Sequence, residues 1–373
     1  MKTTFLSTAW LSLGLLLPFC VGCNDNPKST APDQAASSDG SAVKKGRIIL
    51  LNNTDSPYWD AAREGIKKAA ADLKLADVGI TAGMDSNDGS EQGQIEKLRQ
   101  YGTQSDVIAV VISPISSTNP AIADELEKLK KKGVVVGCFD SDLSGTNKSA
   151  RDFYVGTNNV VGGKVLGTAA KMIQPDAEYV QFVGTDSQQN AIERMDGFSA
   201  VYGKATEKDR KLDDGQRDRA RDNVRDVMTR YPNVSMLVGI WSYNAPAITD
   251  VVEEKNARDR FKVVAFDAEQ LAIQQMEKGN IDVMVVQNPF GMGYDAVRFA
   301  YAKHTGDDAT VKELFPNFGQ EGGDVRETGL KVVVPDANSP VTKEAFSEFG
   351  TAVEFVPFSE FKSWLKQYNL TSS

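Results

Sequence analysis

Short runs of consecutive apolar residues, rich in Val and Ile, recur at 47–51, 106–112, 133–139, 179–183, 234–240, 261–266 and 281–286, with a weaker one at 79–84. Runs that are apolar at successive positions suit strands covered on both faces rather than a half-exposed sheet. Between them lie stretches of helical periodicity at 91–104, 120–132, 160–173, 191–203, 217–230, 244–256 and 268–278. Such alternation dictates parallel sheets with right-handed crossovers, because parallel strands need a long return connection. A chain of 373 residues with this many units exceeds one sheet and one core. The expectation is an α/β protein of two doubly wound parallel-sheet lobes joined by a three-segment hinge. Residues 46–156 with 287–328 form the N-terminal lobe, and 157–286 with 329–373 form the C-terminal lobe and its extension. The crossings fall near Gly156, Gln287 and 327–331, the second leading into a Gly-rich helix start at 288–293, while 330–334 adds a strand to the second lobe. In the extension, Phe358, Phe361, Leu365 and Tyr368 recur at near-helical spacing, which predicts a helix that buries that face.

Open parallel sheets bind ligands outside the carboxyl ends of their strands. That rule selects 52–59, Ser113, 140–142, 185–190, 241–244, Asp267 and Gln287. The first of these segments ends in two large aromatics, Tyr58 and Trp59, where a strand hands over to a helix. Either the pair is buried beneath the lobe interface, or it covers a ligand. The selected set holds aromatics (Tyr58, Trp59, Trp241), carboxylates (Asp55, Asp140, Asp267) and amides (Asn190, Gln287). Aromatic faces pack on the C–H side of a sugar ring, while carboxylates, amides and Arg serve its hydroxyls. Asp140 and Asp267 could equally cap helices, Arg194 could pair with Glu193, and Trp241 could fill a core. Local turn or capping roles account for Asp142, Asp214 and Asn244.

A net charge of -9 argues against a nucleic-acid surface and suits a neutral or polar small partner. Residues 1–22 read as a signal peptide: Lys2 is followed by an apolar stretch at 5–19, too short and interrupted to span a membrane. The sequence Cys20-Val21-Gly22-Cys23 resembles the bacterial lipoprotein processing box, which implies lipidation of Cys23. Residues 23–45, rich in Ser, Ala, Asp, Pro and Gly, then form a flexible tether. Only Cys138 remains as a free thiol after processing, so no intramolecular disulfide is available.

Several further motifs fail on inspection. Gly162-Gly163-Lys164 lacks the earlier glycine of a phosphate loop and continues with Val165. The stretch at 85–89 lacks the spacing and distal Glu of a calcium loop. With one histidine, His304, neither a His-based triad nor a zinc cluster can be assembled, and no cofactor or metal is expected. Two cleft carboxylates alone could still hydrolyse a glycoside.

The order of motifs resembles the ribose-binding-type periplasmic sugar-binding proteins, solute receptors of ABC importers that share the periplasmic binding protein type I fold with lactose-repressor-type ligand domains. The resemblance runs from about Gly46 to Val334. It rests on Tyr58 and Trp59 after the first strand with Asp55 and Ser56 before the proline, and on Asp140 ending the fourth strand. It rests further on Asn190-Ala191-Ile192-Glu193-Arg194-Met195-Asp196-Gly197-Phe198, on Val264-Ala265-Phe266-Asp267, and on Gln287. The resemblance implies ligand contacts from Asp55, Ser56, Tyr58, Trp59, Asp140, Asn190, Arg194, Trp241, Asp267 and Gln287. Where the ribose-binding pattern has an Arg and an Asn this chain has Ser141 and Trp241, so ribose is not carried over as the ligand. The implied function is that of a monomeric, membrane-anchored lipoprotein receptor outside the cytoplasm, not an enzyme. It would close around a monosaccharide or polyol and deliver it to an ABC permease. The alternatives are a sugar sensor for a membrane kinase or chemoreceptor, and a carboxylate-dependent glycosidase.

Overall fold

A computed structural model describes residues 46–373. The expected signal peptide, lipidated Cys23 and tether lie outside the described residues. The first sheet takes β1 (Gly46–Leu51), β2 (Ile80–Asp85), β3 (Val107–Ile112), β4 (Val135–Asp140) and β5 (Phe153–Gly156). The second takes β6 (Glu178–Val183), β7 (Glu207–Leu212), β8 (Val234–Gly239), β9 (Lys262–Phe266) and β10 (Val283–Val286). The chain then returns to the first sheet for β11 (Val325–Glu327) and ends in the second with β12 (Leu330–Val334) and β13 (Val353–Pro357).

The two lobes repeat one plan. The first sheet runs β2-β1-β3-β4-β5-β11 and the second β7-β6-β8-β9-β10-β12-β13. Each therefore begins in the 2-1-3-4-5 doubly wound order, with its switch point between the first and third strands. All ladders are parallel except that of β10 with β12. The apolar runs lie centrally, as β1, β3, β4, β8 and β9, buried at nearly every position.

The elements that the apolar-run criterion passes over are edge or short strands. β7, Glu-Lys-Asp-Arg-Lys-Leu, has no fully buried residue and lies at the edge of its sheet, where charged side chains protect an open edge. β13 is also an edge strand and β5 is only four residues long.

Helices α1 (Trp59–Asp72), α2 (Glu91–Gly102) and α3 (Pro120–Lys131) belong to the first lobe, and α4 (Asn159–Ile173), α5 (Gln189–Tyr202), α6 (Arg217–Arg230), α7 (Asn244–Glu254) and α8 (Gln270–Glu277) to the second. Helices α9 (Pro289–Thr305) and α10 (Asp308–Leu314) return to the first lobe, α9 packing on α1 and β4. The chain passes between lobes after β5, after β10 and after β11. Hydrogen bonds tie these crossings together: Thr157 Oγ1 donates to Gln287 Oε1 (2.8 Å), and Thr328 N donates to Gly156 O (2.9 Å).

Helix α11 (Phe358–Gln367) buries Phe358, Phe361 and Leu365 against the second lobe. The expectation fails for Tyr368, which ends outside the helix and is 42% exposed. Its ring reaches Phe290 of α9 instead, at 5.4 Å. Beyond it, Ser372 and Ser373 are buried. Ser372 Oγ donates to Pro57 O of the first lobe (3.0 Å), while Ser373 exchanges backbone bonds with Ala268 of the second (2.7 and 3.0 Å). Among the described residues, no helix is long and apolar enough to cross a membrane.

Candidate ligand-binding site

Between the lobes lies a cavity of about 210 Å³, lined by residues that follow β1, β4, β6, β7, β8, β9 and β10. All ten predicted contact residues reach it: Asp55, Ser56, Tyr58, Trp59 and Asp140 from the first lobe, Asn190, Arg194, Trp241 and Asp267 from the second, and Gln287 from the hinge.

Tyr58 and Trp59 are both covered by protein and present at the cavity. A turn at 56–59, with Trp59 N donating to Ser56 O (3.1 Å), starts α1 and sets the two rings edge to face at 4.9 Å. Trp59 is 2% exposed and packs on Phe139 in the first-lobe core, while Tyr58 donates its hydroxyl to Asp140 Oδ1 (2.8 Å). Burial, with Asp140 close by, pushes the Tyr58 phenol well above its ordinary value, so it remains a donor.

Asp140 and Asp267 cap no helix. Each has left-handed backbone (φ +62° and +63°), a costly conformation for a non-glycine residue that its surroundings must enforce. Both are buried at strand ends, one per lobe. Asp140 accepts from Tyr58, from Ser113 Oγ (2.9 Å) and, across the cleft, from Asn190 Nδ2 (3.5 Å). Asp267 accepts from Gln287 Nε2 (2.9 Å) and stands 3.6 Å from Arg194 Nη1. Burial outweighs these partners in both cases: it raises the Asp140 carboxyl and pushes that of Asp267 up to about 6.

Arg194 is no surface ion pair. It is 1% exposed, donates Nε to Asn159 Oδ1 (2.9 Å) and Nη1 to Ile240 O (3.2 Å), and lies over the Phe266 ring. The signature glycine three residues later explains its placement. A Cβ on Gly197 would stand 2.5 Å from Val160 O, so only glycine lets α5 approach α4 this closely, and Gly163 meets it from the other side. Trp241 likewise lies on Gly184, where a Cβ would stand 1.9 Å from its ring.

Three buried atoms on cavity residues have no hydrogen-bond partner among the described residues: Arg194 Nη2, Trp241 Nε1 and Asn190 Oδ1. Unpaired buried polar atoms are costly, so two donors and one acceptor at a cavity define what its occupant must supply. Asp55 is the outlier of the predicted set, its side chain 69% exposed and paired with Arg63 (2.8 Å). The less favoured residues have the local roles expected of them: Asp142 holds Arg151, Asn244 accepts from Trp241 N, and Asp214 sits in a turn with left-handed backbone.

The cavity also recruits residues that were not singled out. Asn53 and Gln188 meet across the cleft, Nδ2 to Oε1 at 2.9 Å, and Ser242 and Tyr243 flank Trp241. Both pairs fall in segments selected by the strand-end rule. Gly215 and Arg217 do not, because they follow β7, whose polar sequence gave no sign of a strand.

Two lobes, three crossings and one cavity at the strand ends are the architecture of a bilobed binding protein, and residues 48–308 match the family model of the periplasmic binding protein domain. The chain belongs to this family. A curated relative is the D-allose-binding periplasmic protein of Escherichia coli, 22% identical over 254 residues that cover 66% of this chain and 80% of that protein. Among solved structures, a solute-binding protein of an ABC transporter from Burkholderia graminis, in complex with D-arabinose, superposes with a TM-score of 0.66. It is 22% identical, with 82% of this chain and 98% of that one covered. A periplasmic solute-binding protein from Actinobacillus succinogenes with bound D-allose gives 0.65 at 18% identity, covering 82% and 100%. Family members are substrate-binding receptors, and the family is extracytoplasmic.

Proposed function

We propose that this protein is a carbohydrate receptor that closes around one monosaccharide or related polyol and presents it to an ABC permease. The observation that carries this reading is the set of unpaired buried donors and acceptor beside aromatic rings from both lobes. A sugar supplies hydroxyls that both donate and accept, and C–H faces for the rings. The cavity volume of about 210 Å³ lies below the roughly 300–1,000 Å³ of drug-sized sites, as suits a single small ring. The sugars bound by the structural neighbours support the same class.

Contacts divided between lobes give the ligand greater affinity for the closed than for the open arrangement, and only such a difference can shift that equilibrium. The crossings tied by Thr157, Gln287 and Thr328 supply the pivot. A permease could then read occupancy from lobe orientation. Anchoring through a lipidated Cys23 and the tether at 24–45 would keep the receptor beside the membrane.

The test is a thermal-shift screen of the purified protein against monosaccharides and polyols, followed by small-angle scattering with the best ligand. A ligand at 100 times its dissociation constant should stabilise by about 2.7 kcal/mol, and the particle should become more compact. Sugars that neither shift the transition nor change the dimensions would refute the receptor. Release of product from a glycoside of the bound sugar would favour the glycosidase alternative.

A further inference from the structure

The acidic and basic side chains that face the cavity are Asp55, Asp140, Arg194, Arg217 and Asp267. Each cation among them has a carboxylate partner. Arg194 lies 3.6 Å from Asp267 Oδ2. Arg217, the first residue of α6, donates Nη1 and Nη2 to the two carboxylate oxygens of Glu269 at 2.8 and 2.9 Å. Glu269 itself is only 3% exposed and stands behind the cavity wall, outside its lining. The guanidinium is also stacked 5.4 Å over the Tyr243 ring, whose hydroxyl is held by Asp213. Arg217 is therefore held end-on through one N–H of each terminal nitrogen, and the lateral Nε–H with the outer N–H groups lies outside that fork.

The carboxylates are less evenly served. Asp55 is paired with Arg63 outside the cleft, whereas Asp140 has Tyr58, Ser113 and Asn190 as hydrogen-bond partners and no cation within ion-pair distance among the described residues. The unmatched charge at the cavity is negative. A free Arg in such a cleft would seize a carboxylate or phosphate bidentately; at Arg217 the end-on fork is occupied and the charge already offset by Glu269.

We infer that Arg217 and Glu269 are a specificity-determining pair: Glu269 masks the Arg217 cation, so the cleft accepts neutral sugars and rejects sugar acids. This rests on the carbohydrate reading above and adds the residue that sets charge selectivity. Arg217 then serves the ligand as a rigid, charge-compensated donor and wall, and Glu269, which touches no ligand, acts through it. An anionic sugar meets the unpaired Asp140, while the charges of Arg194 and Arg217 are already offset by Asp267 and Glu269.

The experiment is calorimetric titration of the wild type with the best neutral hexose or pentose from the screen and with the corresponding sugar acid. The neutral sugar should bind at least about a hundredfold more tightly. Glu269→Gln keeps an acceptor beside Arg217 and removes the mask, so the preference should shrink at least tenfold, with sugar-acid binding becoming salt-sensitive. The double variant Arg217→Met with Glu269→Gln removes the cation as well, leaves no buried charge unpaired, and should restore the preference. If neutral sugars bind and the wild type takes the acid equally well, or if Glu269→Gln leaves the ratio unchanged, the masking role is wrong while the receptor stands. If no neutral sugar binds at all, both fall. A wild-type protein that takes the acid equally well refutes the masking even should a variant fail to fold.

Discussion

Replacing Gly184 by Ala perturbs the site without touching a ligand. Gly184 follows β6 and lies against the Trp241 ring: a Cβ there would stand 1.9 Å from Cζ3, 2.4 Å from Cε3 and 2.8 Å from Cη2. Tolerable contact begins at 3.4 Å, so the indole must retreat by about 1.5 Å, a shift of the overpacking kind. Gly184 does not have left-handed backbone, so Ala adds a clash and no dihedral strain. Trp241 lines the cavity, so displacing its ring reshapes the space the ligand needs. Overpacking costs about 1–3 kcal/mol, and here the cost falls on the ligand complex. Affinity should drop about ten- to a hundredfold, while the thermal transition of the free protein falls by only a few degrees. Titration of the cognate sugar against wild type, Gly184→Ala, Trp241→Ala and the double variant closes a cycle. In the Trp241→Ala background, adding Ala at 184 should cost nothing more, since the clash is gone. Wild-type affinity in a folded Gly184→Ala protein would show that Trp241 is not a wall of the site.

Burial pushes the carboxyls of Asp267 and Asp213 up to about 6, above the unfolded value of about 3.9. Their charged forms cost stability above pH 6, a cost relieved as pH falls through the window from 6 to 4. Sugar hydroxyls that donate to Asp267 require its carboxylate, so calorimetric affinity should be full at pH 7.5 and weaken by up to about tenfold per unit below 6, a dependence absent in Asp267→Asn. Deleting residues 371–373 removes the Ser372–Pro57 bond and the Ser373–Ala268 and Ser373–Gln287 bonds, which join both lobes beside Tyr58, Asp267 and the hinge. Scattering should show a wider ligand-free particle, and affinity should fall several-fold, each bond being worth about 0.5–1.5 kcal/mol; unchanged dimensions and affinity would reduce the segment to surface packing. Cys23→Ser should release the protein from membranes into a soluble extracytoplasmic fraction, and unchanged membrane association would contradict the anchor.

By itself the sequence determined the layout. Runs such as 107–112 and 236–240 carry no charged or polar side chain because both faces of a central parallel strand are covered, and that burial leaves its mark on composition. Since strand ends are where such sheets leave room, the same pattern located Tyr58, Asp140, Trp241 and Asp267 without any contact being known. Burial leaves no such mark on β7, a charged edge strand, and Arg217 behind it went unseen for that reason. Tertiary structure alone decided which side chains meet. It placed Arg194 inside rather than on a helix surface, through a helix approach that only Gly163 and Gly197 permit, and it set Trp241 upon Gly184. It brought Glu269 against Arg217, 52 residues away, and sent the chain past Tyr368 back to Pro57, Ala268 and Gln287. Periodicity reports how much of a residue is covered; the identity of the neighbour that covers it depends on how distant elements cross, and no local pattern records that.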